Sequence, residues 1–277
     1  MWLHLYLDFV VFVFGAVVGS FLNVCIHRMP REESIVTPPS HCPHCGARIR
    51  WTDNIPLVSF ILLRGKCRHC GARIHPRYVV IELLTALLFL AIWLKLTPWE
   101  RPPAHGIDFL TIVIYWMVMA GLIVATFIDL EHYIIPNEIT FGGIMLGLVL
   151  SLVHPRLLEA HSVWMGLVRS LLGLLVGGLA LLLIAMAGEK VFKKEAMGMG
   201  DVKLIAAIGA FLGWQATLFT IFLSSLVGGV VGLILVLASK KGWQSRIPYG
   251  PYLALGAIVW IFCGKELVNW YFKVIQG

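Results

Sequence analysis

The sequence predicts an all-α polytopic membrane protein of about eight transmembrane helices, with a small cytoplasmic module built on paired cysteines. Three observations carry this expectation. Of the 277 residues, 59% are hydrophobic and only 13% charged, a composition far from that of soluble domains. Apolar runs approaching the roughly 20 residues that cross the hydrocarbon recur along the chain. One long polar segment interrupts them, 27–77, and it holds four of the six cysteines.

Taken in order, the expected spans lie near 5–26, 78–96, 109–128, 139–153, 163–187, 201–213, 216–238 and 251–271. The first lacks a basic start and a small-residue cleavage site, so it reads as a retained helix rather than a signal peptide. The fourth and sixth are short for a span. Gly173, Gly177, Gly178, Gly228, Gly229 and Gly232 recur inside the later runs and read as positions where helices approach closely. The chain thus divides into a first helix (1–26), a polar module (27–77) and a membrane-embedded remainder (78–277).

The formal net charge of +7 is unevenly placed. Segment 27–77 carries Arg28, Arg31, Arg48, Arg50, Arg64, Lys66, Arg68, Arg73 and Arg77. Alternation puts 129–138, 188–200 and 239–250 on the same side, and these add Lys190, Lys193, Lys194, Lys240, Lys241 and Arg246. The opposite side receives only Lys95, Arg101, Arg156, Arg169, Lys265 and Lys273. Positive residues favour the cytoplasm, so the amino terminus is expected outside and 27–77 inside.

Within 27–77, Cys42-Pro43-His44-Cys45-Gly46-Ala47-Arg48-Ile49 is nearly repeated as Cys67-Arg68-His69-Cys70-Gly71-Ala72-Arg73-Ile74. Two such knuckles supply Cys42, Cys45, Cys67 and Cys70, the four sulfur ligands of a closed tetrahedral zinc site. A ligand set without an open position implies a structural metal. Free thiols, or replacement of one ligand by His41, His44, His69 or His75, are the competing arrangements. Nucleic-acid binding is not expected, since no aromatic platform or basic recognition helix accompanies the knuckles.

Two acids stand where charge is hardest to hold. Asp129, in Phe127-Ile128-Asp129-Leu130-Glu131, ends one apolar run, and Asp201, in Met197-Gly198-Met199-Gly200-Asp201-Val202-Lys203, begins another. Singly, Asp201 reads equally as a helix N-cap and Asp129 as an interfacial loop acid. Together they fall at the same expected membrane face, each beside helix-breaking chain, Pro136 in one case and Gly198 and Gly200 in the other. Close carboxylates can share one proton and work as base and acid on water and a leaving amine. A serine or cysteine nucleophile has no support: G-x-S-x-G is absent, and Cys25 and Cys263 have no evident base beside them in the sequence.

These residues, together with Gly19-Ser20-Phe21-Leu22-Asn23-Val24, His27-Arg28-Met29-Pro30, Trp51 through Pro56, Ile135-Pro136 and Ile247 through Leu253, closely resemble the bacterial prepilin peptidases. That family serves type IV pilus, type II secretion and competence systems and belongs with the G-x-G-D aspartyl proteases. The resemblance implies a bifunctional enzyme of the inner membrane. It removes the basic leader from prepilins and pseudopilins at the cytoplasmic face, then N-methylates the new amino terminus with S-adenosylmethionine. The family's catalytic acids map onto Asp129 and Asp201. Glu82 matches a family position and is either a methyl-transfer residue or a paired interfacial acid. Lys203 is a snorkelling lysine or a partner of Asp201. Tyr78-Val79 departs from the Tyr-Pro of many relatives.

No G-x-G-x-x-G follows a strand pattern, so S-adenosylmethionine has no Rossmann-type site in this sequence. Two other classes of function compete with the peptidase. A proton-coupled transporter would use the same acid pair but needs polar residues deep in several spans and inverted repeats, which the sequence lacks. A zinc-bearing scaffold would need neither acid.

Overall fold

A computed structural model describes residues 2–97, 108–193, 197–238 and 248–276. The expected positive residues Arg101, Lys194, Lys240, Lys241 and Arg246, and Ile247 of the family match, lie outside the described residues. The chain forms two compact units, residues 1–124 and 125–277.

In the first unit, α1 (Trp2–Arg28) and α3 (Arg77–Leu96) are the long helices. A Cβ on Gly15 would stand 2.7 Å from Ala86 Cα, and one on Gly19 the same distance from Glu82 Cα. The two helices therefore meet backbone to backbone, which only small residues allow. Asn23 Nδ2 donates to the Tyr78 carbonyl at 3.1 Å, and Trp93 Nε1 to Asp8 Oδ1 at 2.9 Å. Residues 109–124 of α4 (Phe109–His132) add Trp116, whose ring stacks on Phe89 at 5.1 Å while its Nε1 donates to the Phe89 carbonyl.

Between α1 and α3 lies the cysteine module, with the short α2 (Val58–Leu62). Among the described residues the chain has no strand, only isolated bridges pairing His41 with Arg48 and Lys66 with Arg73. Each bridge closes one knuckle.

The second unit takes the end of α4, then α5 (Asn137–Val153), α6 (Val163–Phe192), α7 (Met199–Ala238), α8 (Gly250–Val259) and α9 (Lys265–Gln276). α8 passes into α9 through a π-helical turn, Trp260–Gly264. Helix α6 begins on a Ser162 cap that accepts from the Met165 N–H at 3.2 Å. It runs along α7 at backbone contact: a Cβ on Gly173 would stand 2.1 Å from the Gly209 carbonyl oxygen. Of the expected packing glycines, Gly177, Gly178 and Gly228 also border neighbouring chain, whereas Gly229 has nothing within 4 Å.

Helix α7 is not straight. Gly213 has φ 81° and ψ 174°, a conformation open essentially to glycine alone. Ile205 and Thr217 would be about 18 Å apart in a continuous helix, yet both border Gly177. The chain folds back at Gly213 into two arms, 199–212 and 214–238, matching the short sixth and the seventh expected spans.

Six helices among the described residues are long and apolar enough to cross a membrane, and Asn137–Val153 is a shorter apolar helix. With that short helix, and with α7 counted as two arms, the expectation of about eight segments stands. Their outward faces are apolar, as at Leu175, Leu179 and Leu183 of α6 and Leu226 and Leu233 of α7. That suits helices whose backbone groups are satisfied internally and whose side chains meet lipid.

Candidate active site and cysteine centre

Asp129 sits in the last turn of α4. Its carbonyl accepts from the Tyr133 N–H at 2.9 Å, and Tyr133 turns into the left-handed region at φ 56°. The chain then runs through Ile135 to Pro136, which starts α5. Asp201 sits in the first turn of α7, its N–H bonded to the Gly198 carbonyl at 3.2 Å. Both carboxylates are buried, with 5% of Asp129 and 8% of Asp201 exposed. Burial at this level is inconsistent with solvated interfacial acids.

The chain beside each acid packs, through a glycine, on one side chain, Ile135. A Cβ on Gly200 would stand 3.2 Å from Ile135 Cβ, and one on Gly250 would stand 3.3 Å from Ile135 Cδ1. Gly200 immediately precedes Asp201, and Gly250 donates its N–H to Asp129 Oδ2 at 2.9 Å. Ile135 is thus flanked by the chain that carries one acid and the chain that holds the other.

Gly250 opens α8, with Pro251 as the next residue. Its N–H belongs to the set that a helix start leaves unpaired, and a carboxylate is the favoured acceptor there. A Cβ on Gly250 would stand only 2.8 Å from Asp129 Oδ2. The preceding Tyr249 is anchored through its hydroxyl to Ser224 Oγ at 2.6 Å and Ser225 Oγ at 3.1 Å. Asp201 Oδ1, by contrast, is a buried oxygen without a hydrogen-bond partner. In folded proteins such an oxygen is ordinarily paired with the chain, with water or with an ion.

Lys203 does not take Asp201 as its partner. Its Nζ donates to Asn137 Oδ1 at 3.0 Å and lies 4.8 Å from the centre of the Phe141 ring. Glu82, in the first unit, accepts the Leu57 N–H at 2.8 Å. That bond ties the module to α3.

The module repeats in space as it does in sequence. Cys42 N–H bonds the Ala47 carbonyl at 2.9 Å and Gly46 N–H the Cys42 carbonyl at 2.9 Å; Cys67 with Ala72 and Gly71 with Cys67 follow at 2.8 and 2.9 Å. Gly46 and Gly71 adopt φ 67° and 71°, which turns each chain tightly enough for its two thiols to converge. The four Sγ atoms of Cys42, Cys45, Cys67 and Cys70 lie within 4.8 Å of one another, and Cys42 and Cys70 are 3.9 Å apart. Four sulfurs at the zinc–thiolate distance sit about 3.8 Å apart at the corners of a tetrahedron. The cluster therefore fits such an ion, and no histidine belongs to it. The backbone N–H groups of Cys70 and His69 pull the Cys67 thiol down to about 7, while, against the Ala72 N–H, desolvation and the neighbouring sulfurs push Cys70 up to about 11, a split that crowding the four sulfurs together produces. Arg68, between the ligands, grips Asp53 with Nε at 3.0 and 2.9 Å and Nη2 at 2.7 Å.

Residues 116–233 match the type IV leader peptidase family, and residues 13–96 match the bacterial peptidase A24 N-terminal domain. The prepilin leader peptidase/N-methyltransferase of Aeromonas hydrophila is 36% identical over 98% of this chain and 94% of its own length. The chain belongs to the type IV leader peptidase family. Proteins of the same name from Myxococcus xanthus (42% identical over 83% of this chain and 64% of that protein) and Pseudomonas aeruginosa (34%, 94% and 91%) are also similar. No solved structure matches the chain. Membership of a leader peptidase family sets aside the transporter alternative. The sequence assigned no role to Gly250, Tyr249 or Ile135, although Ile135-Pro136 and the run Pro248-Tyr249-Gly250-Pro251 both belong to the family match.

Proposed function

We propose that this chain is a membrane aspartic endopeptidase that removes the leader from type IV prepilins and pseudopilins, with Asp129 and Asp201 as its catalytic pair. The observation that carries the reading is two buried carboxylates whose supporting chain, at Gly200 and Gly250, packs on the same Ile135, with Asp201 Oδ1 left without a hydrogen-bond partner. Sharing one proton, the pair activates a water with one carboxylate and protonates the departing amine with the other. The Gly250 N–H holds Asp129 in one orientation throughout.

The positive-inside bias supports placing both acids and the module at the cytoplasmic face of the bacterial inner membrane, with the amino terminus outside. There a prepilin presents a basic leader in water and an apolar helix in lipid. Division into a first helix, a module over 27–77 and a peptidase portion from 78 onward goes with this reading. In the module, Cys42, Cys45, Cys67 and Cys70 hold a structural zinc ion, which supplies a cross-link rather than chemistry because no coordination position stays open.

Methylation of the new amino terminus with S-adenosylmethionine is part of the same proposal, on the name its relatives carry. Among the described residues there is neither a strand nor a Rossmann-type glycine loop, so none is assigned to that cofactor. Mass spectrometry of a co-expressed prepilin reads cleavage position and methyl group together. Asp129→Asn and Asp201→Asn should each leave the leader in place while the protein still accumulates. Full cleavage by either variant would remove the pair from the mechanism.

A further inference from the structure

The short helix between the two knuckles presents an apolar face that neither the zinc site nor the acid pair uses. In α2, Val58, Ile61 and Leu62 share one face by their spacing, and Ile61 and Leu62 are 72% and 75% exposed. Ile55, just before the helix, is also exposed. Buried Ser59 fixes the arrangement: its Oγ accepts from the Ile55 N–H at 2.9 Å and donates to the Thr52 carbonyl at 3.0 Å. The face is thus a built surface rather than a loose loop.

Its height along the molecule is set by Glu82. The Leu57 N–H reaches Glu82 Oε2, which lies five positions past Arg77, the first residue of α3, or about 7.5 Å along the helix axis. Counted from Arg77, the basic residue that opens this candidate span, that distance equals the roughly 5–10 Å to which interfacial helices bury their apolar faces. Both ends of the module run into candidate spans, α1 and α3. Exposed Arg50, Arg64 and Lys66 flank this stretch in sequence, and such cations complement anionic headgroups.

We propose that Ile55, Val58, Ile61 and Leu62 are seated in the leaflet that holds the start of α3, with Arg50, Arg64 and Lys66 against anionic phospholipid headgroups. The cysteine module is then a membrane-docked element held at fixed height, not a domain swinging from two tethers. This inference rests on α1 and α3 being spans and is independent of the aspartate chemistry.

The test places a photoreactive diazirine amino acid at position 61, 62 or, as an exposed control on the first knuckle, 44 of the full-length protein. Each variant is reconstituted in vesicles of phosphatidylethanolamine with or without phosphatidylglycerol, irradiated, and read by intact-protein mass spectrometry. Positions 61 and 62 should give phospholipid adducts and position 44 none. Omitting phosphatidylglycerol should lower the yield severalfold, and Leu62→Asp should abolish the adduct at 61 in protein that retains its zinc. Water-quenched product alone at 61 and 62, protein–protein adducts there, equal lipid labelling at 44, or a yield indifferent to phosphatidylglycerol would overturn the proposal. Prepilin cleavage is not a readout, so failure here leaves the peptidase reading untouched.

Discussion

Replacing Gly250 by alanine tests the acid site without touching either acid. The backbone there is helical, so alanine meets no conformational penalty and its effect is steric. The new methyl carbon would stand 2.8 Å from Asp129 Oδ2 and 3.3 Å from Ile135 Cδ1. Asp129 can retreat only by giving up the hydrogen bond from the same residue's N–H. Losing a hydrogen bond to a charged group costs about 1.5–3 kcal/mol, and overpacking about 1–3 kcal/mol. If about 2–4 kcal/mol of this appears in the transition state, kcat/KM falls roughly 30- to 1,000-fold.

The assay is cleavage of a purified prepilin per mole of folded enzyme in detergent. Gly229→Ala, where an added methyl meets nothing within 4 Å, serves as control and should cleave at the parent rate. Gly250→Ala protein that folds and cleaves like the parent would refute the placement of Asp129 against the start of α8.

Three further outcomes follow from the same geometry. Gly213→Ala forces a side chain into a conformation reserved for glycine and should cost about 1–3 kcal/mol, read as a lowered unfolding midpoint in detergent. Cys42→Ser or Cys67→Ser should lose the metal, measured by elemental analysis, and lower accumulation in the membrane; a metal-free variant with full stability and activity would end the structural role. The Arg68 guanidinium holds the Asp53 carboxyl below its ordinary value. Its contribution is therefore present above the ordinary carboxylate range, near pH 4, and lost as pH falls through the depressed value. Asp53→Asn should loosen the module slightly at neutral pH, by hydrogen exchange of the knuckle amides, and the difference from the parent should vanish in acid.

The cysteine cluster was legible because its ligands recur at fixed local spacing and because glycine after each pair dictates a left-handed turn. The spans were legible because lipid demands long apolar runs, whatever packs beside them. Even the reversal at Gly213 left a trace, as a short apolar run, 201–213, and a full-length one, 216–238, meeting at Gly213-Trp214-Gln215.

Other features depended on residues far apart in sequence. No local rule told Lys203 to prefer Asn137 over Asp201, two positions away, or brought the Gly250 N–H to Asp129 across 121 positions. Nor did any pattern indicate that Ile135 would lie against both Gly200 and Gly250. By itself the amino-acid order determined which groups can bear charge, bind metal or enter lipid, since those are properties of single residues and short repeats. Tertiary packing decided which oxygen is held and which is left open, because hydrogen bonds are filled by whatever donor the folded chain brings within about 3 Å.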